Sequence, residues 1–329
     1  MNIYYFAAMY NSLQYKTKQF LFFLVKIAIV FGAFYFIYNK TVHNEHISFQ
    51  QFITQLENSI FENYTTLIFL LCFTLANWFF EILKWKALVS FLRKISFVAA
   101  AKQSLGSLTA SLFTPNRIGE YGAKAIYFQK GTRKKAMLLN LLGNMMQMAT
   151  TAVFGTLGLI YFTTHFEVAI DGYRFKKVAY FLAILFVFVM TGSIKGYQKI
   201  RGFYIDKILM FVRSLPLQIH FQNAFYSMVR YLIFSHQFYF LLRLFGVEGD
   251  YITLLSLITS MYFIASIVPG LALLDWLIKG SVAIWVFGFI HVNELIIVTI
   301  TLLMWLLNFG LPALIGSYFV LNFNYYKRQ

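Results

Sequence analysis

The chain has 329 residues, of which 60% are apolar, 20% aromatic and only 12% charged, with a formal net charge of +16. A soluble core cannot hide that much apolar surface, so the composition excludes an ordinary soluble domain and indicates an all-α polytopic membrane protein. The single cysteine, Cys72, excludes an internal disulfide and a thiolate metal cluster.

In chain order, FLFFLVKIAIVFGAFYFIY (20–38) reads as the first span, because no small-residue cleavage site follows it. The loop 39–64 holds Glu45, Glu57 and Glu62 against one Lys, which places it outside. His43 and His46 in that loop lack the setting of a metal site, and no metal is expected. The next span, 65–83, meets the roughly 20-residue requirement of a ~30 Å hydrocarbon layer, or nearly so. Asn77 and Glu81 share a face of it, with Lys84 one turn further; Glu81 reads as Lys84's interfacial partner or as a proton-carrying carboxylate.

The stretch 104–113 is too short to cross, since ten helical residues reach ~15 Å. Pro115 then ends the helix, Gly119 and Gly122 loosen the turn, and the chain returns to the basic run 130–135. A re-entrant hairpin over about 104–130 is therefore expected, entering and leaving on the inner side. It carries Arg117, Glu120 and Lys124 to membrane depth. There an ionisable side chain must line a cavity, find a partner or contact a substrate. Arg117 just before a helix start suits a phosphate. The simpler alternative is a cytoplasmic turn with Glu120 as an N-terminal helix charge.

Asn140, Asn144, Gln147 and Thr151 form one polar stripe on the span 137–162, as part of a site or as hydrogen-bonding contacts between helices. A span at 178–194 and an interfacial amphipathic helix at 203–213 follow. In the span 229–246, His236 lies mid-membrane and reads as a packed, satisfied histidine or as part of a site, with Arg230 and Arg243 read as snorkelling at the ends. Glu248-Gly-Asp250 reads as a tight outer turn. The span 251–267 then breaks at Pro269–Gly270, and Asp275 and Lys279 follow, giving a second re-entrant element over about 266–287. The last span is 295–321.

Each pair, Glu120 with Lys124 and Asp275 with Lys279, is an acid four residues before a lysine and so meets on one helical face. The two breaks enter from opposite sides, the pattern of an inverted-repeat transporter. Altogether residues 1–329 read as a single membrane domain of about seven or eight segments, with both termini cytoplasmic. The basic clusters flank the spans, as the positive-inside bias predicts, so a nucleic-acid partner is not expected despite the net charge.

TPNRIGEYGAKA (114–125), preceded by a small-residue helix and followed by a basic run, resembles the T-P-x-R-x-G-E signature of the lysylphosphatidylglycerol synthase transmembrane region, a flippase-like family. Residues 229–247 resemble a later span of that family, and VPGLALLDWLIKGSVA its second re-entrant motif. Asn116 stands where the family often has Gly. The resemblance implies movement of a phospholipid or lipid-linked headgroup between leaflets of a bacterial inner membrane. It does not carry over synthase activity, which belongs to a separate soluble domain.

The expected function is thus lipid translocation without catalysis or cofactor. Its expected headgroup contacts are Arg117, Lys124 and Lys279. Glu120 and Asp275 balance charge, and Pro115 and Gly119 shape the turn. Asn140, Asn144, Gln147, Glu81 and His236 support the site. Two alternatives stand beside it: a partner or scaffold for a separate lipid-modifying enzyme, and an enzyme acting on a lipid-linked sugar. No Gly-Lys-Ser/Thr phosphate loop occurs, so ATP hydrolysis is not expected.

Overall fold

The computed structural model describes Thr54, residues 64–112, Thr114, and residues 117–166, 205–267 and 275–323. The spans read at 20–38 and 178–194, most of the loop 39–64, and the breaks at Pro115 and Pro269–Gly270 lie outside the described residues.

Among the described residues every regular element is helical. The helices are α1 (Tyr64–Val89), α2 (Phe97–Ser111), α3 (Ile118–Ala125), α4 (Arg133–His165) and α5 (Ile205–Arg213). Then come α6 (Leu217–Leu244), α7 (Tyr251–Ile267), α8 (Asp275–Gly288), α9 (Glu294–Trp305), a π-helical turn (Leu306–Gly310) and α10 (Leu311–Leu321). Three segments are long and apolar enough to cross a membrane: α1, α4 and the continuous run Glu294–Leu321. α6 matches them in length at 28 residues but carries Asn223, Arg230, His236 and Gln237. α2 and α8, at 15 and 14 residues, reach only ~22 Å, short of a ~30 Å hydrocarbon layer.

α1 has the polarity of a helix whose outer solvent is lipid. Its buried stripe includes Thr74, Asn77, Glu81 and Lys84, whereas Ile68, Phe69, Leu75 and Phe79 are exposed. In water that arrangement would leave apolar side chains solvated and charges buried; in a bilayer it satisfies both faces.

α2 begins at Ser96, whose side-chain oxygen accepts the Ala99 N–H at 3.2 Å. It is fifteen residues long rather than the ten read from the small-residue run, because FVAAAKQ continues the helix upstream. Its small residues allow close packing against α10. Thr109 donates to the Ala313 carbonyl at 2.8 Å, and a Cβ on Gly316 would fall 2.2 Å from the Leu105 carbonyl oxygen. The same device joins α4 to α7, where a Cβ on Gly158 would stand 2.7 Å from the Ser256 carbonyl oxygen.

Gly316→Ala is therefore expected to force α2 away from α10 and lower stability by about 1–3 kcal/mol, the usual cost of overpacking. The readout is the thermal unfolding midpoint of the purified protein. Gly122→Ala, where an added Cβ meets nothing within 4 Å, is the control expected to stay unchanged.

α1 and α6 run antiparallel at the centre. Gln237 of α6 donates to Thr74 of α1 at 3.1 Å, and Phe80 of α1 stands 6.1 Å from the ring of Tyr226. Around this pair lie a large apolar cluster through α7, α8 and α9, and a smaller one of Trp85, Leu88, Phe128 and Leu139 with Ile219. α5 joins the smaller cluster through Phe211, whose ring meets that of Phe91 at 5.8 Å. Thr74, Asn77, Glu81 and Lys84 of α1 and Asn223, Ser227, Ser235 and Gln237 of α6 are thus buried within the bundle.

Candidate functional site

Asn77, Glu81 and Lys84 follow one another at helical spacing, so α1 points all three inward. Glu81 is the centre. Its carboxylate accepts from Lys84 Nζ at 2.8 Å, pairs with Arg230 of α6, and lies 3.9 Å from Lys124 Nζ. The expected Glu81–Lys84 pair exists, but it is buried, with the Lys84 side chain only 3% exposed. Lys84 is consequently not one of the basic residues that merely flank a span.

Arg230 also corrects an expectation. It does not snorkel outward; it reaches inward, giving Nε to the Asn77 side-chain oxygen at 3.1 Å and Nη1 to Gln147 Oε1 at 3.0 Å. α6 begins at Leu217 rather than near 229, which puts Arg230 in the middle of a helix instead of at its end.

The turn before α3 supplies the second part. Arg117 has φ +56°, a left-handed conformation that an L-residue with a side chain adopts at a cost of about 1–3 kcal/mol. The turn is held by Arg117 N–H to the Thr114 carbonyl at 3.2 Å and by Gly119 N–H to Thr114 Oγ1 at 2.9 Å. Gly119 is needed for that approach: a Cβ there would stand 2.9 Å from Thr114 Cγ2 and 3.2 Å from the Ala110 carbonyl. The result aims the Arg117 guanidinium back at Glu120, at 2.9 Å.

Glu120 also takes Lys124 Nζ at 2.7 Å, and Lys124 in turn donates to Asn140 Oδ1 at 2.8 Å and sits 4.4 Å from the Trp85 ring centre. The first acid–lysine pair is thus a buried, multiply bonded group. The second, Asp275–Lys279, is equally short at 2.6 Å but partly exposed, and the Lys279 ammonium lies 5.5–5.8 Å from the rings of Phe234, Tyr262 and Phe309.

The polar stripe of α4 faces this cluster. Asn140 holds Lys124, Asn144 donates to Tyr121 at 3.1 Å, and Gln147 holds Arg230. His236 does not join it. Its ring bonds the Leu232 carbonyl and the Tyr251 hydroxyl, each at 2.8 Å, while its neighbour Gln237 turns to the interior. Pro115 lies outside the described residues. Asp250 serves its helix: its carboxylate accepts the N–H groups of Ile252 and Thr253 at the start of α7.

Asn308 is a further residue of the site, one that the sequence does not single out. Inside the π-helical turn, it accepts from Asn77 at 2.8 Å and donates to Gln237 at 2.9 Å, while its carbonyl takes the Trp78 indole N–H at 3.0 Å. A π turn inserts one residue and re-aims its neighbours, a feature frequent at functional sites. A lone Asn in an apolar run was the available signal.

These groups surround one cavity of about 290 Å³. Lys84, Arg117, Arg230 and Lys279 line it against Glu81 and Asp275, and Trp78, Phe234, Tyr262 and Phe309 supply an aromatic wall. Arg117, just before α3, and Asp275 and Lys279, on α8, therefore line a single space. With Lys124 and Glu120 directly behind, five cations face three carboxylates in this cluster. Such a surplus favours an anion, and the low-dielectric surroundings strengthen the attraction. No family model matches the chain, and comparison with curated proteins and with solved structures likewise finds no match.

Proposed function

We propose that the chain is a lipid translocator that carries an anionic headgroup between leaflets, its hydrocarbon tail remaining in the bilayer. The observation that carries this reading is the cavity, lined by cations and aromatic rings together, inside a bundle that exposes many large apolar side chains. Ionisable groups inside a membrane bundle belong with a hydrated path or a charged ligand. Arg117 fits the role of phosphate contact. It lines the cavity at 32% side-chain exposure, and its buried Nε has no hydrogen-bond partner among the described residues. The guanidinium fork suits a phosphate, and two donors can engage it at once.

On this reading the segments around Pro115 and Pro269 are re-entrant elements in an inner-membrane protein of about seven or eight segments. Headgroup contact falls to Arg117, Lys279 and Arg230, with Glu81 and Glu120 holding those cations in position. Movement of the lipid breaks no covalent bond. The resemblance of TPNRIGEYGAKA to flippase-like proteins points the same way.

The test is leaflet exchange in proteoliposomes, with labelled phosphatidic acid, phosphatidylglycerol and phosphatidylcholine offered separately. Wild type is expected to accelerate exchange of the anionic lipids most. Arg117→Ala is expected to lose at least tenfold of that rate with a smaller fall in unfolding midpoint than Lys124→Met, because Glu120 keeps Lys124 and Arg117 is partly exposed, and Arg117→Lys to retain more of the rate. Absence of exchange for every anionic lipid would overturn the proposal and leave the partner-protein reading.

A further inference from the structure

Glu120 and Asp275 are 155 residues apart, and so are Lys124 and Lys279. The same shift carries more than these four residues. It moves α1 onto 219–244, where α6 is Leu217–Leu244, and α2 onto 252–266, where α7 is Tyr251–Ile267. It moves α4 onto 288–320, where α9, the π turn and α10 together run Glu294–Leu321. Four successive elements thus recur at one spacing, with the acid and lysine at corresponding places on α3 and α8.

The packing obeys the same correspondence. α1 meets its counterpart α6. α2 packs on α10, in the counterpart of α4, while α7, the counterpart of α2, packs on α4. In both crossed contacts a glycine of the longer helix admits the shorter one: Gly158 against Thr259, and Gly316 against Leu105. Contacts run in opposite order along α1 and α6: Thr74 meets Gln237, while the later Glu81 meets the earlier Arg230. Equivalent helices are therefore antiparallel, which relates the two units by a two-fold axis lying across the bundle, so that one is inverted relative to the other.

The charge pairs break this symmetry. Glu120 and Lys124 are 3% and 2% exposed, whereas Asp275 and Lys279 are 33% and 25% exposed and line the cavity. Equivalent sequence positions in unequal surroundings are what a two-state device looks like when one state is seen.

We propose that residues 64–166 and 217–323 are two inverted copies of one unit, and that their charge pairs exchange surroundings during the working cycle. In the second state Asp275–Lys279 is buried and Glu120–Lys124 lines the cavity. This deepens the translocator reading and rests on it for the purpose of the motion, though not for the motion itself.

The exchange has a geometric signature. Arg93 corresponds to Glu248, and Thr163 to Tyr318, by the same 155-residue shift. The distance between positions 93 and 318 therefore maps onto that between 248 and 163. Because α1 and α6 are antiparallel, the two distances sit at opposite ends of the bundle. The experiment places spin labels on Arg93→Cys/Tyr318→Cys and, separately, Thr163→Cys/Glu248→Cys, each in a Cys72→Ser background in lipid nanodiscs. Pulsed electron spin resonance reads the distances with and without phosphatidic acid.

Each pair is expected to show two distances, and the lipid is expected to shift the two pairs in opposite senses, one widening as the other narrows. A single unchanging distance in both pairs, or changes in the same sense, would overturn the proposal. Lipid exchange separates the two readings: distances that switch without exchange sink the translocator, and exchange with fixed distances sinks the swap.

Discussion

Replacing Glu81 with Gln is expected to destabilise the protein by about 3–5 kcal/mol, the cost of leaving buried cations without their counter-ion. Glu81 pairs with Lys84 and Arg230 and stands within 3.9 Å of Lys124, so one carboxylate balances three cations. Gln keeps the shape and one acceptor but removes the charge. Lys84 and Lys124 are almost fully buried and Arg230 is 18% exposed, so solvent offsets only part of the loss. The measurement is the unfolding midpoint in detergent, with Glu294→Gln as control. Glu294 is exposed at the start of α9, and its substitution is expected to stay within about 0.5 kcal/mol of wild type. The double variant Glu81→Gln/Arg230→Gln is expected to recover part of the deficit, because the second change removes one uncompensated charge. An additive double variant would show that Glu81 and Arg230 are not energetically coupled.

The features legible in the sequence are those in which a polar residue stands alone against an oily background. Glu81, the Arg117–Lys124 turn and the stripe Asn140–Asn144–Gln147 stood out because charge or amide in an apolar helix demands a partner, and each does face the same cluster. Their partners were harder to find. Arg230 reads as the start of a span over 229–246; the stretch HFQNAFYSM before it is also helical, with Asn223 and Ser227 buried, which carries Arg230 to mid-helix. Asn308 escaped notice because nothing in LLMWLLNFGL announces a π turn, whose cause is packing across the bundle rather than local preference. His236 is open to two readings in the sequence, packed and satisfied or part of a site, and here a local carbonyl and a tyrosine satisfy it. The buried state of one acid–lysine pair and the partial exposure of the other could not be read from their identical spacing.

That difference yields a sharp contrast between Lys124→Met and Lys279→Met. Lys124 is almost fully buried and holds Glu120, Asn140 and the face of Trp85. Met fills the volume but leaves Glu120 with Arg117 alone and strips Asn140 of its donor. The expected loss is about 3–5 kcal/mol of stability, with reduced yield of folded protein. Lys279 has one acidic partner, itself a third exposed, so its removal is expected to cost about 1 kcal/mol or less. On the translocator reading its effect is expected to fall instead on the ligand. The cavity wall loses one of four cations, and a charge-assisted contact of about 1.5–3 kcal/mol corresponds to at least a tenfold weaker hold on an anionic headgroup. Unfolding midpoints and the lipid concentration giving half-maximal exchange separate the two effects. Equal destabilisation by both substitutions would mean that the two pairs share one environment. A normal half-maximal concentration in Lys279→Met would remove that lysine from the headgroup path, leaving Arg117 and Arg230 to hold the phosphate.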